Sequence, residues 1–294
     1  MKNLIKIISG LIIIVLILLG YLLFQELDKN LQVIFFDVGQ GDAILIKTPN
    51  NQKILIDGGP DNIIVNKIGR YFNFFDKTID LMILTHAHSD HLVGLVEVLK
   101  RYQVKKVLYN GAVHTTPEYF EWLRLIKEKK ISLEIAKTGQ EFIFSSDLKL
   151  KIIYPLENLT NKQFEDLNQT SIVSLLTFKN TNFLFMGDLP QAEEEEMLKS
   201  YPDLKAEIIK IGHHGSKYST SDELLRAVDP KVAIIQVGKD NKFGLPALIT
   251  LKKLERKNIN ILRTDQQGDI IIKSNNKRSW VVVGTPIMAS LPPP

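Results

Sequence analysis

The sequence predicts an α/β protein in which two packed β-sheets carry helices on their outer faces. Short apolar runs rich in β-branched residues, such as LQVIFFDV, AILIKT, KILIDGG and LMILT, are typical of buried strands. Because several of these runs follow one another near the start, we expect hairpins there rather than strict βαβ winding. Amphipathic spacing predicts helices around 91–102, 116–130, 190–200, 221–228 and 246–257.

A second group of strands follows the first helices, at 171–178, 182–187, 206–211 and 231–237. Sheets and helices bury their apolar faces most simply as layers, so two sheets between two layers of helices fit this order. Two helix starts are marked by Thr116-Pro117 and by Ser221, which is followed by acidic residues.

Composition indicates a globular chain with a sizeable core. Hydrophobic residues make up 45% and charged residues 24%, which excludes a disordered protein. The absence of cysteine excludes disulfides and thiolate metal sites. The formal net charge of +4 is too small to indicate a polyanionic partner by itself.

The N-terminus predicts a membrane anchor. From Ile7 to Phe24 the chain has no charged residue, and a bilayer core asks for about 20 apolar residues. No small-residue cleavage site follows, so we expect an uncleaved spanning helix rather than a signal peptide. Lys2 and Lys6 precede the run, which places the N-terminus in the cytoplasm and the rest outside, as a single-pass membrane protein. We therefore divide the chain into an anchor with a short linker, 1–30, and one compact domain, 31–294.

The stretch THAHSDH, at 85–91, holds half of the six histidines of the chain. It directly follows the apolar run LMILT, so a buried strand would deliver His86 and His88 to a loop at its end. Asp90 and His91 would lie in the first turn of the next helix. Imidazole and carboxylate together suit Zn²⁺, and also manganese or iron. Four ligands in one turn favour two ions that share the loop, about 4 Å apart.

Two more apolar strands end in residues that bind metals. NFLFMGD ends in Asp188, whose carboxylate could bridge two cations, and EIIKIGHHGS ends in His213 and His214. The remaining histidine, His114, lies in a polar loop and is interpreted as a surface residue.

Six motifs in this order, DVGQGDAILI, ILIDGG, LTHAHSDHLVGL, LNQTSIVSLL, FLFMGDL and KIGHHGS, resemble the metallo-β-lactamase fold, a four-layer αββα sandwich. More narrowly, they resemble the metallohydrolase domain at the C-terminus of the bacterial DNA-uptake channel ComEC. The resemblance covers about residues 31–270. It implies a metal-dependent hydrolase with two divalent ions, Zn²⁺ first and Mn²⁺ second.

The resemblance also implies roles for individual residues. His86 and His88 would hold one ion, Asp188 would bridge, and the other ion would be held by Asp90, His91 and His213. Asp57 and His214 would support these ligands from outside the coordination sphere. Many superfamily members have a further histidine before the GD motif, where this chain offers Asn168 and Ser171, so we expect the His86/His88 ion to be held less tightly.

For catalysis, Asp90 could hold and deprotonate the attacking water, and Lys210, Ser216 or Asn168 could grip a phosphate. A solvated strand lysine is the alternative for Lys210. The leading hypothesis is an anchored phosphodiesterase or nuclease that acts on DNA during uptake, with a channel protein as a candidate partner. The alternatives are a hydrolase of a small ester, a lactone or a cell-surface phosphodiester, and a metal-binding accessory module without turnover.

Overall fold

The computed structural model describes residues 2–26, 30–72, 76–275, 279–283 and 288–290. The helices in these ranges are α1 (Lys2–Glu26), α2 (Ile63–Gly69), α3 (Ser89–Arg101), α4 (Pro117–Glu128), α5 (Gln191–Ser200), α6 (Asp222–Val228), α7 (Leu248–Arg256) and α8 (Thr264–Gln267). Short 3₁₀ turns lie at Leu167–Thr170 and Gly212–Gly215.

Most of the strands belong to two mixed sheets. In chain order the strands are β1 (Leu31–Phe35), β2 (Ile44–Lys47), β3 (Lys53–Ile56), β4 (Thr78–Ile79), β5 (Leu81–Leu84), β6 (Gln103–Val104), β7 (Lys106–Tyr109), β8 (Ser132–Ile135), β9 (Glu141–Ser145), β10 (Leu148–Tyr154), β11 (Val173–Phe178), β12 (Thr181–Phe185), β13 (Ile208–Lys210), β14 (Val232–Ile235), β15 (Asn260–Arg263), β16 (Ile270–Ser274), β17 (Ser279–Val283) and β18 (Met288–Ser290).

The first sheet has the order β18-β17-β16-β1-β2-β3-β5-β7-β8 and the second has the order β15-β14-β13-β12-β11-β10-β9, while β4 and β6 form a separate pair. The predicted hairpins are present, because β1, β2 and β3 pair antiparallel. Beyond them, β3, β5, β7 and β8 run parallel, as do β12 to β15.

Alternation along the strands builds three apolar layers. In β1, Val33 and Phe35 face the second sheet, where the ring of Phe185 lies 6.2 Å from that of Phe35. Ile34 of the same strand faces the opposite way, into a core shared with α2, α3 and α4. A third core joins the outer face of the second sheet to α5, α6 and α7, with Met197 at its centre. The central strands of each sheet are covered on both faces, which is why they read as continuous apolar runs. The predicted four layers, helix–sheet–sheet–helix, are confirmed.

The five predicted helices are present as α3 to α7. Two begin where the sequence predicts, because the Thr116 hydroxyl accepts a hydrogen bond from the Tyr119 N–H and the Ser221 hydroxyl accepts one from the Leu224 N–H. Pro117 follows Thr116 as the first helical residue, where its missing N–H costs nothing.

The predicted membrane anchor falls on α1. Within the part of the chain that the structure describes, no helix is both long enough and apolar enough to cross a bilayer. The spanning helix is therefore not confirmed. Residues 27–29, the predicted linker to the domain, lie outside the described ranges.

Candidate metal centre

The titratable cluster lies at one end of the sandwich, where strands of both sheets finish. From the first sheet, β5 delivers His86 two residues after its last residue. From the second sheet, β12 delivers Asp188 and β13 delivers the Gly212–Gly215 turn. His86 Nε2 lies 4.0 Å from Asp188 Oδ2, so the ends of the two sheets meet.

His86 and His88 form the first half of the cluster. Nε2 of His86 and Nδ1 of His88 lie 3.0 Å apart, so two ring nitrogens face the same point. On the far side of the His86 ring, Nδ1 lies 3.1 Å from the Thr85 hydroxyl and 3.5 Å from the Ser171 hydroxyl. Ser171 also accepts a hydrogen bond from the Asp188 N–H, at 3.1 Å, which ties the two strand ends together.

Asp90, His91 and His214 form the second half. Their ligand atoms all lie within 4.8 Å of one another. Asp188 stands between the halves, because its Oδ2 is 3.3 Å from His91 Nε2 and 3.4 Å from His214 Nε2. This central carboxylate is the one that the sequence predicts as a bridge.

The rings of His91 and His214 are oriented from behind. Asp57 Oδ2 lies 2.8 Å from Nδ1 of His91, and the Gln236 carbonyl lies 2.9 Å from Nδ1 of His214. A proton on each Nδ1 leaves the Nε2 lone pair free to point into the cluster. Asp57 is itself fixed by the N–H and the hydroxyl of Thr85, at 2.8 and 2.7 Å.

Close backbone contact brings Asp57 to His91. A Cβ on Gly94 would lie 1.8 Å from the Gly58 carbonyl oxygen, and one on Gly58 would lie 2.3 Å from the Leu95 nitrogen. Only glycine lets the first turns of α3 pack this tightly against the end of β3. The Gly58 N–H then donates to the His91 carbonyl at 2.8 Å.

Asp42 and Lys210 form a buried ion pair beneath the cluster. The Lys210 ammonium is 1% exposed and contacts Asp42, the Gly187 carbonyl at 3.0 Å and Asp188 Oδ1 at 3.6 Å. Asp42 also lies 3.3 Å from Nδ1 of His214. Because the ammonium does not reach the surface, Lys210 is neither placed to bind a substrate phosphate directly nor solvated as a strand lysine. Burial lowers the pKa of the Lys210 ammonium, but Asp42 and Asp188 outweigh burial and raise that pKa, so the group stays charged and paired.

Sequence reasoning assigned no role to Asp42. The motif DVGQGD could have pointed to it, because Asp42 stands between two apolar strands and directly follows a glycine. That glycine, Gly41, is required where the backbone passes close to α3. A Cβ on Gly41, whose φ is +141°, would lie 2.2 Å from the Asp90 carbonyl oxygen. The Asp42 N–H donates to the same carbonyl at 3.2 Å.

Negative charge dominates the cluster. Four carboxylates, those of Asp42, Asp57, Asp90 and Asp188, face one ammonium. Burial alone would lower the pKa of His214, but Asp188 and Asp42 outweigh it and raise that pKa to about 10. Burial likewise opposes protonation of His91, yet Asp188 and Asp57 raise its pKa well above the usual value. An excess of carboxylates among imidazoles is the electrostatic pattern of a cation site.

His213 lies at the edge of the cluster rather than within it. His213 and His214 both have left-handed backbone, with φ of 50° and 53°, and this turn carries the second ring inwards and leaves the first half-buried. The preference for His213 as the ligand therefore changes to His214, whose Nε2 is also 3.2 Å from Asp90 Oδ2.

The other predicted site residues lie around the cluster. Asn168 is buried in the 3₁₀ turn, and its side-chain oxygen has no hydrogen-bond partner among the described residues. Ser216 is buried and accepts a hydrogen bond from the Tyr218 N–H, which is a structural role. His114 is half-buried, with its ring 6.0 Å from that of Tyr119, and burial lowers its pKa.

The residues fit divalent metal ions. Among the described residues, His91 Nε2 points into the cluster and is buried without a hydrogen bond, which is costly unless a further group binds there. Imidazole nitrogens and carboxylate oxygens without thiolates suit Zn²⁺, Mn²⁺ or iron.

Comparison with known proteins decides the family. A family model described as the metallo-beta-lactamase superfamily matches residues 36–239. The chain belongs to the metallo-β-lactamase superfamily. The metallo-β-lactamase fold is that of metal-dependent hydrolases and implies divalent metal ions, and its two sheets and outer helices agree with the four layers described above.

The chain is also similar to competence proteins over most of its length. It is 29% identical over 269 residues to ComE operon protein 3 of Bacillus subtilis, covering 85% of this chain and 34% of that protein. It is 28% identical over 260 residues to competence protein ComA of Neisseria gonorrhoeae, covering 86% and 34%. The chain thus spans about a third of the length of the curated relatives it matches. The narrower resemblance drawn from the motifs is confirmed.

Solved structures share the fold at low identity. A metallo hydrolase of Ignicoccus hospitalis, Igni18, aligns with a TM-score of 0.53 at 14% identity, covering 83% of this chain and 100% of that one. CmlA, a diiron β-hydroxylase of Streptomyces venezuelae, aligns with a TM-score of 0.51 at 14% identity, covering 79% and 52%.

Proposed function

We propose that the protein is a metal-dependent phosphodiesterase that cleaves DNA in the context of DNA uptake. The observation that carries the proposal is the convergence of His86, His88, Asp90, His91, Asp188 and His214 at one end of the sandwich, with more carboxylates than cations. The similarity to competence proteins supports DNA as the substrate in this proposal.

The ligand assignment follows the two halves of the cluster. His86 and His88 would hold one ion, Asp90, His91 and His214 would hold the other, and Asp188 would bridge. Two divalent ions held there, Zn²⁺ or Mn²⁺, supply a Lewis acid for a phosphoryl oxygen and acidify water. Asn168 and Lys210 are carried forward in altered roles, Asn168 as a buried acceptor near Ser171 and Lys210 as the partner that positions Asp42 and Asp188.

Asp90 is the proton acceptor in this proposal. Its side chain is 30% exposed, whereas those of Asp188 and Asp42 are 3% and 2% exposed, so solvent and substrate reach Asp90. Burial opposes ionisation, but His91 and His214 lower the pKa of the Asp90 carboxyl, which keeps it charged at neutral pH. A charged carboxylate at the opening can hold the attacking water, and because its lowered pKa makes it a weak base, it would accept the proton only from water that bound metal has acidified.

The test is Asp188→Ala. Removing the central carboxylate leaves both halves of the cluster without their shared ligand. Mn²⁺- or Zn²⁺-dependent cleavage of plasmid and oligonucleotide DNA should therefore fall by more than about 100-fold, because loss of a residue that only supports a ligand already costs about 10- to 100-fold. The matched control is Asp147→Asn, in the exposed turn between β9 and β10, which should cleave like wild type. Circular dichroism should show that both variants fold.

Two results would contradict the proposal. Wild type that binds metal, melts cooperatively and cleaves no DNA would favour a small ester or lactone as substrate, or an accessory module without turnover. Equal cleavage by Asp188→Ala would assign the activity to a contaminant.

We also propose that α1 anchors the domain to the cell membrane on its outer side, beside an uptake channel. Supporting the proposal are the exposed apolar side chains of α1, among them Ile7, Ile12 and Ile17, and the lysines that precede them. Protease added to intact cells should digest the domain. Digestion that requires lysis would reverse the orientation.

A further inference from the structure

Two loops beside the cluster carry exposed aromatic side chains. Tyr218 is 65% exposed and Phe243 is 60% exposed. Leu248 and Ile249, just beyond the second loop, are 64% and 52% exposed. In the described part of residues 30–275, these four are half of the exposed large hydrophobic side chains, the others being Ile63, Phe120, Leu133 and Ile143. Exposed apolar side chains concentrated on neighbouring loops are typical of an interaction surface.

The two loops are joined to each other and to the cluster. The Ala247 N–H donates to the Gly215 carbonyl at 2.9 Å, and the Thr250 hydroxyl donates to the Ser216 carbonyl at 3.0 Å. A Cβ on Gly215 would lie 2.6 Å from that of Pro246, so the loops are in direct contact. Each loop starts at the cluster. His214 precedes Tyr218 by four residues, and its Nδ1 lies 2.9 Å from the carbonyl of Gln236, the residue that follows β14 and begins the other loop.

A lysine ammonium lies over each aromatic ring. Lys217 Nζ lies 4.9 Å from the centroid of the Tyr218 ring, and Lys242 Nζ lies 5.3 Å from that of Phe243. Neither ammonium has a carboxylate within 4.0 Å among the residues that the structure describes, so each is free to face a phosphate. The loops thus offer flat apolar faces next to uncompensated positive charge.

We propose that this surface, the aromatic rim formed by Lys217, Tyr218, Lys242 and Phe243, binds an unpaired nucleic-acid strand. Bases stack on the two rings and phosphates face the two ammonium groups, a combination that binds single strands without sequence preference. A duplex hides its base faces and cannot use the rings. The inference rests on the proposed function and deepens it, because it specifies which form of DNA reaches the cluster.

The test measures binding without turnover. The full chain in detergent micelles, stripped of metal with EDTA, is titrated into fluorescein-labelled oligothymidylate or a blunt duplex of equal length, and anisotropy is read. Wild type should bind the single strand more tightly than the duplex. Tyr218→Ala and Phe243→Ala should each weaken single-strand binding roughly tenfold, on the scale of one lost stack. Tyr218→Phe should keep wild-type affinity, because the ring is retained.

Two further variants test the role of the rim lysines and the location of the binding surface. Replacing Lys217 and Lys242 together by Ala should reduce the slope of log affinity against log salt by about 1.4, for two lost phosphate contacts. Ile143→Ala removes an exposed apolar side chain on β9, at the far end of the second sheet from β14 and β15, and should bind like wild type.

Three outcomes separate the inferences. If the rim variants lose single-strand and duplex affinity equally, or lose none, the inference that the rim binds an unpaired strand is wrong. Wild type that binds the blunt duplex as tightly as the single strand also overturns it, because a duplex hides its base faces. Rim-dependent binding in a wild type that cleaves no DNA supports the rim and contradicts the proposed hydrolysis, because metal-free binding is independent of turnover.

Discussion

At the scale of single residues, Lys210 shows what a strand pattern leaves out. The alternation in EIIKIG predicts neither its depth nor its partner, because the partner Asp42 comes from the connection between two strands of the other sheet. The charge pattern of a strand shows how many ionisable groups it has, and packing decides which of them must be paired. The orienting role of Asp57 was implied by the resemblance, and its position directly after β3 lets it reach His91 in the first turn of α3.

The buried pair makes a prediction about stability. Asp42→Asn removes the charge that compensates Lys210 while keeping the side-chain shape, so the ammonium stays buried with Asp188 as its remaining carboxylate. Breaking a buried pair costs about 3–5 kcal/mol. We expect the free energy of unfolding, measured by urea titration of metal-free protein, to fall by an amount near this range.

The control removes both charges. Asp42→Asn combined with Lys210→Met leaves no uncompensated ammonium and should recover most of the lost stability. A single variant as stable as wild type would mean that Asp188 alone neutralises Lys210.

At the scale of elements, the strand ends were predictable and the turns were not. Runs such as LMILT and NFLFMGD predict buried strands, and the residues that follow a strand must lie at its end, so the positions of His86 and Asp188 follow from the sequence. The choice between His213 and His214 depends on a left-handed turn at two non-glycine residues, which is uncommon and which no local pattern indicates.

Other elements were missed because their apolar pattern is weak or short. Helix α2 has seven residues, with Ile64 and Ile68 buried, and is too short for its period to stand out. Strands β8 and β9 lie at the edges of the sheets, have four and five residues and are partly exposed, so their apolar residues are too few to stand out.

At the scale of the whole molecule, metal and protons compete for the cluster. In metal-free protein, burial lowers the pKa of His214, but Asp188 and Asp42 outweigh burial and raise that pKa to about 10. The ring is therefore protonated at neutral pH. A metal needs the neutral ring, so binding must release this proton. Affinity for Zn²⁺ or Mn²⁺ should therefore increase with pH.

The stability of the metal-free protein should change in the opposite direction. A group whose pKa is higher in the folded state than its usual 6.5 stabilises the fold fully below that value and progressively less as pH rises towards 10. Bound metal stabilises the folded state in proportion to the logarithm of its affinity. We predict that the difference in melting temperature between metal-loaded and EDTA-treated protein grows from pH 6 to pH 8. His214→Gln, neutral throughout, should reduce the metal-free slope, and His91, whose pKa is also raised, should supply what is left of it. A difference that shrinks over this range would show that the carboxylates do not hold a proton on His214.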